Sequence, residues 1–210
     1  MQNSLVRLFW FGRHMIGLMV ASLIVACAGA GEGAMKGAGA GALAGAASGL
    51  VSALVWGGDP GEHMARGATA GATIGAIGGA VEGSSRAKAE KDRAAAQEQR
   101  ELEQFRRDIG NDAFDAVVAL AECRQEVAIA NAKVAAKSTN SNHALAGLWI
   151  QALTFADQGD EAGLTAITPE IIRWDREIND EMQFDRELKD AYQGLVDIRA
   201  EYALPLSCSS

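Results

Sequence analysis

Histidines, grouped carboxylates and cysteines are the side chains of this 210-residue chain that could do chemistry. His63 and His143 stand apart, and neither belongs to a motif with the spacing of zinc ligands. Two groups of acids in the second half could in principle bind calcium, namely Asp157, Asp160, Glu161 and Asp180, Glu181. They lack the alternating spacing of a calcium loop, which indicates solvated acidic turns, and no Gly-Lys-Ser/Thr phosphate motif is present. We therefore expect no catalytic residue, no metal ligand, no cofactor and no enzyme activity.

Cys27 is the thiol with the most informative surroundings. The chain begins with Arg7 and Arg13 and no acid, then runs through the apolar stretch 15–26, which has the length of a signal-peptide core and is too short for a membrane span. Ala26 before Cys27 resembles the bacterial lipobox, in which the cysteine receives a diacylglycerol after cleavage. We predict a signal peptide over 1–26 and lipidation of Cys27. The alternative is an ordinary signal peptide with a buried Cys27.

The acyl chains on Cys27 would make membrane lipid the first partner of this protein. A triacylated residue exceeds the two-signal threshold for stable anchoring. Ala28 follows the cysteine, where an Asp would favour the inner membrane by what is known of lipoproteins. We therefore expect a lipid-anchored protein of the bacterial cell envelope, at the outer membrane and facing the periplasm.

Cys123 and Cys208 remain beyond the proposed anchor, and an even count in an oxidising compartment permits one disulfide. Cys123 falls within a predicted helix, and Cys208 follows Pro205, where a short tail could fold back. Closing this long loop would stabilise a small helical core by about 4 to 5 kcal/mol in the chain-entropy model. The alternative is a buried free thiol at Cys123 and a tail residue at Cys208.

Two sets of glycines recur at a spacing of four residues, which is the most specific pattern in the chain. The first set is Gly33, Gly37, Gly41, Gly45 and Gly49, and the second is Gly67, Gly71, Gly75, Gly79 and Gly83. Residues four apart share a helix face, and a face without side chains lets two helix backbones approach closely. A turn signal over 57–62 separates the sets. The pattern predicts a glycine-zipper helical hairpin over 27–85 that self-associates; the alternative is a flexible Gly/Ala linker.

Whether this hairpin crosses a bilayer is left open by the sequence. The stretch 37–56 holds 20 uncharged residues, about 30 Å of helix, whereas 67–81 reaches only about 22 Å. Gly and Ala are barely apolar, so insertion would need the lipid anchor or oligomerisation.

The remaining sequence predicts further helices. A charged helical spacer over 86–111 precedes an acidic helical domain over 112–210, with a weak coiled coil as the alternative for the spacer. Within the domain, apolar spacing predicts one helix from Phe114 toward Val134, a second from His143 to Gly159, and a long final helix that starts at Pro169 and stops near Pro205. Trp149, Phe155 and Trp174 are interpreted as core. The predicted fold class is all-α.

The lipobox-like residues 24–27, the paired glycine registers and the tract 75–80 resemble the glycine-zipper lipoproteins of Gram-negative bacteria, including the YMGG-like and two-transmembrane glycine-zipper groups. The resemblance covers roughly residues 20–85, and Ile77 stands where the YMGG signature has Tyr-Met. It implies outer-membrane association, a hairpin that oligomerises and a role in envelope structure.

The net charge of −8 becomes more negative by two when Arg7 and Arg13 leave with the signal peptide. Because phosphate binding needs a basic face, this balance excludes nucleic acid as a partner. We expect a non-catalytic structural or interaction protein with an unidentified envelope protein as partner. The alternative is an oligomeric membrane pore or secretion-system component built from packed hairpins.

Overall fold

The computed structural model describes residues 32–59, 61–68 and 85–208. These residues form eight helices and no strand, as the all-α prediction requires. The helices are α1 (Glu32–Trp56), α2 (61–68 in its described part), α3 (Ser85–Ile109), α4 (Asn111–Ala121), α5 (Gln125–Ala135), α6 (Ser141–Gln158), α7 (Glu161–Trp174) and α8 (Glu181–Glu201).

Side-chain caps define several helix ends in the second half of the chain. Asn140 Oδ1 accepts from the backbone N–H of Asn142 and His143 at the start of α6, and Gly159 ends α6 in the left-handed conformation at φ 67°. Such caps satisfy the backbone groups that a helix end leaves without partners. The predicted end of this helix at Gly159 is therefore confirmed.

The predicted single helix from Phe114 toward Val134 is wrong, because the chain turns between α4 and α5. Cys123 adopts φ 60° and donates its N–H to Leu120 O at 3.1 Å, while Arg124 N–H donates to Ala119 O at 2.8 Å. These two bonds form a Schellman motif, which usually uses glycine at the left-handed position. The periodicity continued through the turn because no Gly or Pro marks it.

The predicted start of the final helix at Pro169 is also wrong. Pro169 lies inside α7, whose first turn is capped by the Asp160 carboxylate on Gly163 N–H at 2.9 Å. The chain breaks again after Trp174, where Asp175 accepts from Glu177 N–H at 2.9 Å. The final helix, α8, begins only at Glu181, after the cap Asp180. The sequence therefore encodes two helices where one was predicted.

The helix α1 lies at the centre of the fold rather than beside it. It packs against α3, α4, α6 and α8, and Leu50 and Val51 are fully buried in the same hydrophobic core as Leu120, Leu153 and Leu195. From Ala42 to Leu54 every residue of α1 is buried except the half-buried Ala44. The end of the first glycine arm is thus a core element of the helical domain.

Within the described ranges, no helix is both long enough and apolar enough to cross a lipid bilayer.

Candidate functional site: a glycine-lined helix interface

The first glycine register brings the backbones of α1 and α2 into direct contact. A Cβ atom added to Gly67 would lie 2.0 Å from the carbonyl oxygen of Gly45, and one added to Gly49 would lie 2.2 Å from the carbonyl oxygen of His63. No real Cβ approaches a backbone atom so closely. Only glycine at positions 49 and 67 permits this approach.

The two contacts share one antiparallel register. Moving four residues along α1, from Gly45 to Gly49, moves the partner four residues back, from Gly67 to His63. Four residues are about one helical turn, so the glycine spacing of the sequence equals the spacing of the contacts. In the described residues, α1 and α2 therefore meet along one face of each helix, at Gly45 and Gly49 of α1 and at His63 and Gly67 of α2.

The other glycines of the two registers fall into two groups. The backbone of Gly33, Gly37 and Gly41 is helical within α1. The proposed lipidation residue Cys27 and the second-register glycines Gly71, Gly75, Gly79 and Gly83 lie outside the described residues.

The turn between the arms uses both glycine and a carboxylate cap. Gly57 and Gly58 adopt φ 74° and 117°, which L side chains rarely adopt. Asp59 then accepts from Glu62 N–H at 2.8 Å through its side chain and from His63 N–H at 3.1 Å through its carbonyl oxygen. This arrangement starts α2 directly after α1 ends.

The helix α8 packs against both arms of the hairpin. Gly194 of α8 faces both arms, because a Cβ there would lie 3.1 Å from Leu50 Cδ1 and 3.2 Å from Met64 Cε. The side chains of both arms therefore pack closely against this glycine, and Gly194 was absent from the predicted site.

A buried ion pair joins α8 to α6. The Arg199 guanidinium meets the Asp157 carboxylate with two bonds, Nη1–Oδ1 at 2.7 Å and Nη2–Oδ2 at 2.9 Å, and both side chains are 0% exposed. Arg199 also donates to the carbonyl oxygens of Leu120 and Ala121, at 2.8 and 3.4 Å. The interpretation of Asp157 as part of a solvated turn was wrong, since its carboxylate is the counter-ion of this arginine.

The disulfide between Cys123 and Cys208 lies at the same end of the domain. The two Cα atoms are 5.3 Å apart, within the range that a disulfide spans. The tail it holds contributes to the arginine site, because Leu206 O accepts from Arg199 Nη1 at 3.4 Å and Leu204 N–H donates to Arg199 O at 2.8 Å.

Tyr192 lies beside the Arg199–Asp157 ion pair, and the titration of its hydroxyl reports on that pair. Its hydroxyl donates to Asp157 Oδ1 at 3.5 Å. Burial raises the pKa of Tyr192, the Asp157 carboxylate raises that pKa further, and Arg199 opposes the rise. Burial and Glu201 also raise the pKa of Tyr202. The folded protein therefore favours the neutral phenols.

We predict that stability falls as pH rises above about 10, the ordinary tyrosine pKa. A pKa raised by folding contributes stability that is present below the unfolded pKa and lost as pH rises through the folded one. Native protein should form tyrosinate at higher pH than urea-unfolded protein, as followed by ultraviolet absorbance. Because the chain has two tyrosines, Tyr192→Phe should leave only the Tyr202 signal and weaken the alkaline loss of stability. Identical titrations of native and unfolded protein would contradict this prediction.

The other residues considered for chemistry hold structural positions. His143 Nε2 lies 2.9 Å from Arg107 O, and Asp160 and Asp180 cap α7 and α8. Trp149 is 1% exposed and stacks on Phe184 with centroids 5.5 Å apart. Trp174, by contrast, is 46% exposed, so the prediction that it belongs to the core is wrong. Among the described residues, no group of three or more His, Cys, Asp or Glu is placed to hold a metal ion.

Comparison of the chain with protein-family models, with curated proteins and with solved structures gives no match.

Proposed function

We propose that this chain is a lipid-anchored, non-catalytic structural or interaction protein of the bacterial cell envelope. The observation that carries the proposal is the glycine-lined contact of Gly67 with Gly45, made by a helix that is also the centre of the acidic domain. The resemblance to glycine-zipper lipoproteins supports an outer-membrane location.

The short distance between the proposed anchor and the domain supports a location at the membrane surface. Four residues separate Cys27 from Glu32, the first residue of α1. Five residue steps span at most about 18 Å even when fully extended. An acylated Cys27 would therefore hold the start of α1 close to the membrane surface.

The glycine contacts lie within one chain, which favours a lipid-anchored structural protein over an oligomeric pore. A pore of packed hairpins needs zipper faces that contact neighbouring chains, whereas Gly45, Gly49 and Gly67 contact the two arms of one hairpin. Residues 42–54 of α1 are moreover covered by other helices of the same chain. Self-association would then use another surface or the arms beyond these positions.

We predict that Cys27→Ala abolishes lipid attachment, because the diacylglycerol is transferred to this thiol. Cells expressing the full chain would be fed an alkynyl palmitate analogue, and the purified protein would be assayed for label and for its membrane fraction. The variant should lose the label and leave the membrane fraction. A Cys123→Ser/Cys208→Ser variant is the matched control, since it removes two other cysteines and should label like wild type.

Equal labelling of Cys27→Ala and wild type would overturn the anchor. Conductance in planar bilayers tests the rest of the proposal, since discrete current steps from the purified chain would favour the pore.

A further inference from the structure

A groove between α5, α6 and α7 has the features of a small-molecule site. It has a volume of about 390 Å³ and is walled mainly by apolar side chains, with Leu148 and Phe155 from α6 and Ile167 from α7. Pockets of roughly 300 to 1,000 Å³ with apolar walls and a few polar groups are typical of ligand sites. The polar groups of this groove therefore indicate which ligand would fit.

The first polar group is a buried amide with an unused acceptor. Gln151 lines the groove and is only 7% exposed. Its Nε2 donates to Gly147 O at 3.2 Å and to Ala132 O at 3.5 Å, which fixes the orientation of the amide. Across the described residues, no group donates to Gln151 Oε1. A buried acceptor without a protein donor is costly, and a ligand N–H or O–H would satisfy it.

The second feature is a pair of lysines without counter-ions. Lys133 and Lys137 line the groove and are exposed. Neither forms an ion pair within the part of the chain that the structure describes. Glu170, the carboxylate that also lines the groove, lies 3.7 Å from Arg173 instead. Two unpaired cations on a chain of net charge −8 favour an anionic ligand.

We propose that this groove binds a single-chain amphiphile with an anionic head and an N–H or O–H near that head. The acyl chain lies along Leu148, Phe155 and Ile167, the donor bonds to Gln151 Oε1, and the anion lies against Lys133 and Lys137. The site is separate from the glycine interface and does not depend on lipidation of Cys27.

Two matched ligands test the donor. N-Dodecanoylglycine carries an amide N–H and a carboxylate, and N-dodecanoylsarcosine differs by a methyl group on that nitrogen. Calorimetry on the full chain in phosphatidylcholine nanodiscs, with ligands below their micellar concentrations and the heat of titrating empty nanodiscs subtracted, should show saturable binding of the glycine compound. The sarcosine compound should bind about tenfold more weakly, as loss of a hydrogen bond to a buried group predicts. In Gln151→Leu this difference should disappear.

Variants of the chain test the walls and the charge. Ala166→Phe, which fills the groove from an exposed position, should abolish binding, and Lys133→Gln/Lys137→Gln should weaken it about tenfold. Lys189→Gln, an exposed lysine outside the groove, is the charge control and should bind like wild type. Circular dichroism of each variant confirms that it is folded. Dodecyl phosphate in place of the carboxylates then distinguishes a phosphate head, which would bind more tightly, from a carboxylate head.

Unchanged affinity in a folded Ala166→Phe would overturn the site, as would absence of saturable binding to wild type. Equal binding of the two acyl amino acids by wild type would overturn the role of Gln151.

Discussion

Gly67→Ala is expected to lower the free energy of unfolding by about 3 kcal/mol, the upper part of the range for overpacked sites. The added methyl carbon would lie 2.0 Å from Gly45 O, and a backbone carbonyl inside a helix has no rotamer by which to move away. The higher helix propensity of Ala returns at most about 1 kcal/mol, so the clash decides the sign. Urea unfolding followed by circular dichroism measures the difference.

Gly61→Ala is the matched control for this substitution. Gly61 begins the described part of the same helix, but the nearest atom to an added Cβ is Asp59 Oδ1 at 3.1 Å, the end of a side chain. We expect a loss of less than about 1 kcal/mol, because this oxygen, which caps Glu62 N–H, would have to shift by only a few tenths of an ångström. If Gly67→Ala is as stable as Gly61→Ala, the two backbones are not in contact.

Gly49→Ala extends the test to the second contact. Its added Cβ would lie 2.2 Å from His63 O, so the single variant should lose stability as Gly67→Ala does. The two positions belong to one interface, and separating the helices at one contact relieves the other. The double variant should therefore lose less than the sum of the two single losses.

The contrast between predicted and observed features shows what sequence patterns encode. The four-residue glycine spacing predicted the face of α1 and α2 that makes contact, because helical periodicity fixes which residues share a face. The pattern did not reveal that α1 forms the core of the domain. Because Gly and Ala occur on all sides of α1, the sequence shows no apolar stripe that would indicate which side of the helix is buried. In the structure, α1 is covered on nearly every side from Ala42 to Leu54.

The errors in the helical domain have a related cause. The turn at Cys123 is set by backbone bonds to Leu120 and Ala119, with none of the residues that usually mark a turn. Proline is common at helix starts, which is why a helix was predicted to begin at Pro169. The chain is already helical there, because α7 begins after its cap Asp160. A signal for the ion pair was present, since Arg199 lies four residues after Leu195 on the buried face of α8. An arginine in an apolar register predicts a buried partner.

Arg199→Met is expected to cost about 3 to 5 kcal/mol, the range for removing one partner of a buried pair. Methionine keeps much of the length of the arginine side chain. It leaves the Asp157 carboxylate, which is 0% exposed, without a counter-ion. Among the described residues, the Gln125 amide at 2.7 Å and the Tyr192 hydroxyl at 3.5 Å would still donate to it.

A surface pair gives the matched control for this loss. Arg173 lies 3.7 Å from Glu170, with side chains 68% and 55% exposed. Arg173→Met should cost less than about 1 kcal/mol, because exposed ion pairs contribute little. Both variants are compared by urea unfolding at neutral pH with the disulfide intact, so that the tail stays in place in each.

The double variant Arg199→Met/Asp157→Leu separates the ion pair from the packing around it. Removing both charges eliminates the uncompensated carboxylate, so the double variant should be more stable than Arg199→Met alone. Some loss should remain, because the Leu120 and Ala121 carbonyls still lack the donors that Arg199 supplied. The single variant Asp157→Leu completes the cycle. If the losses of Arg199→Met and Asp157→Leu add up to that of the double variant, or if Arg199→Met costs no more than Arg173→Met, the pair is not coupled within the core.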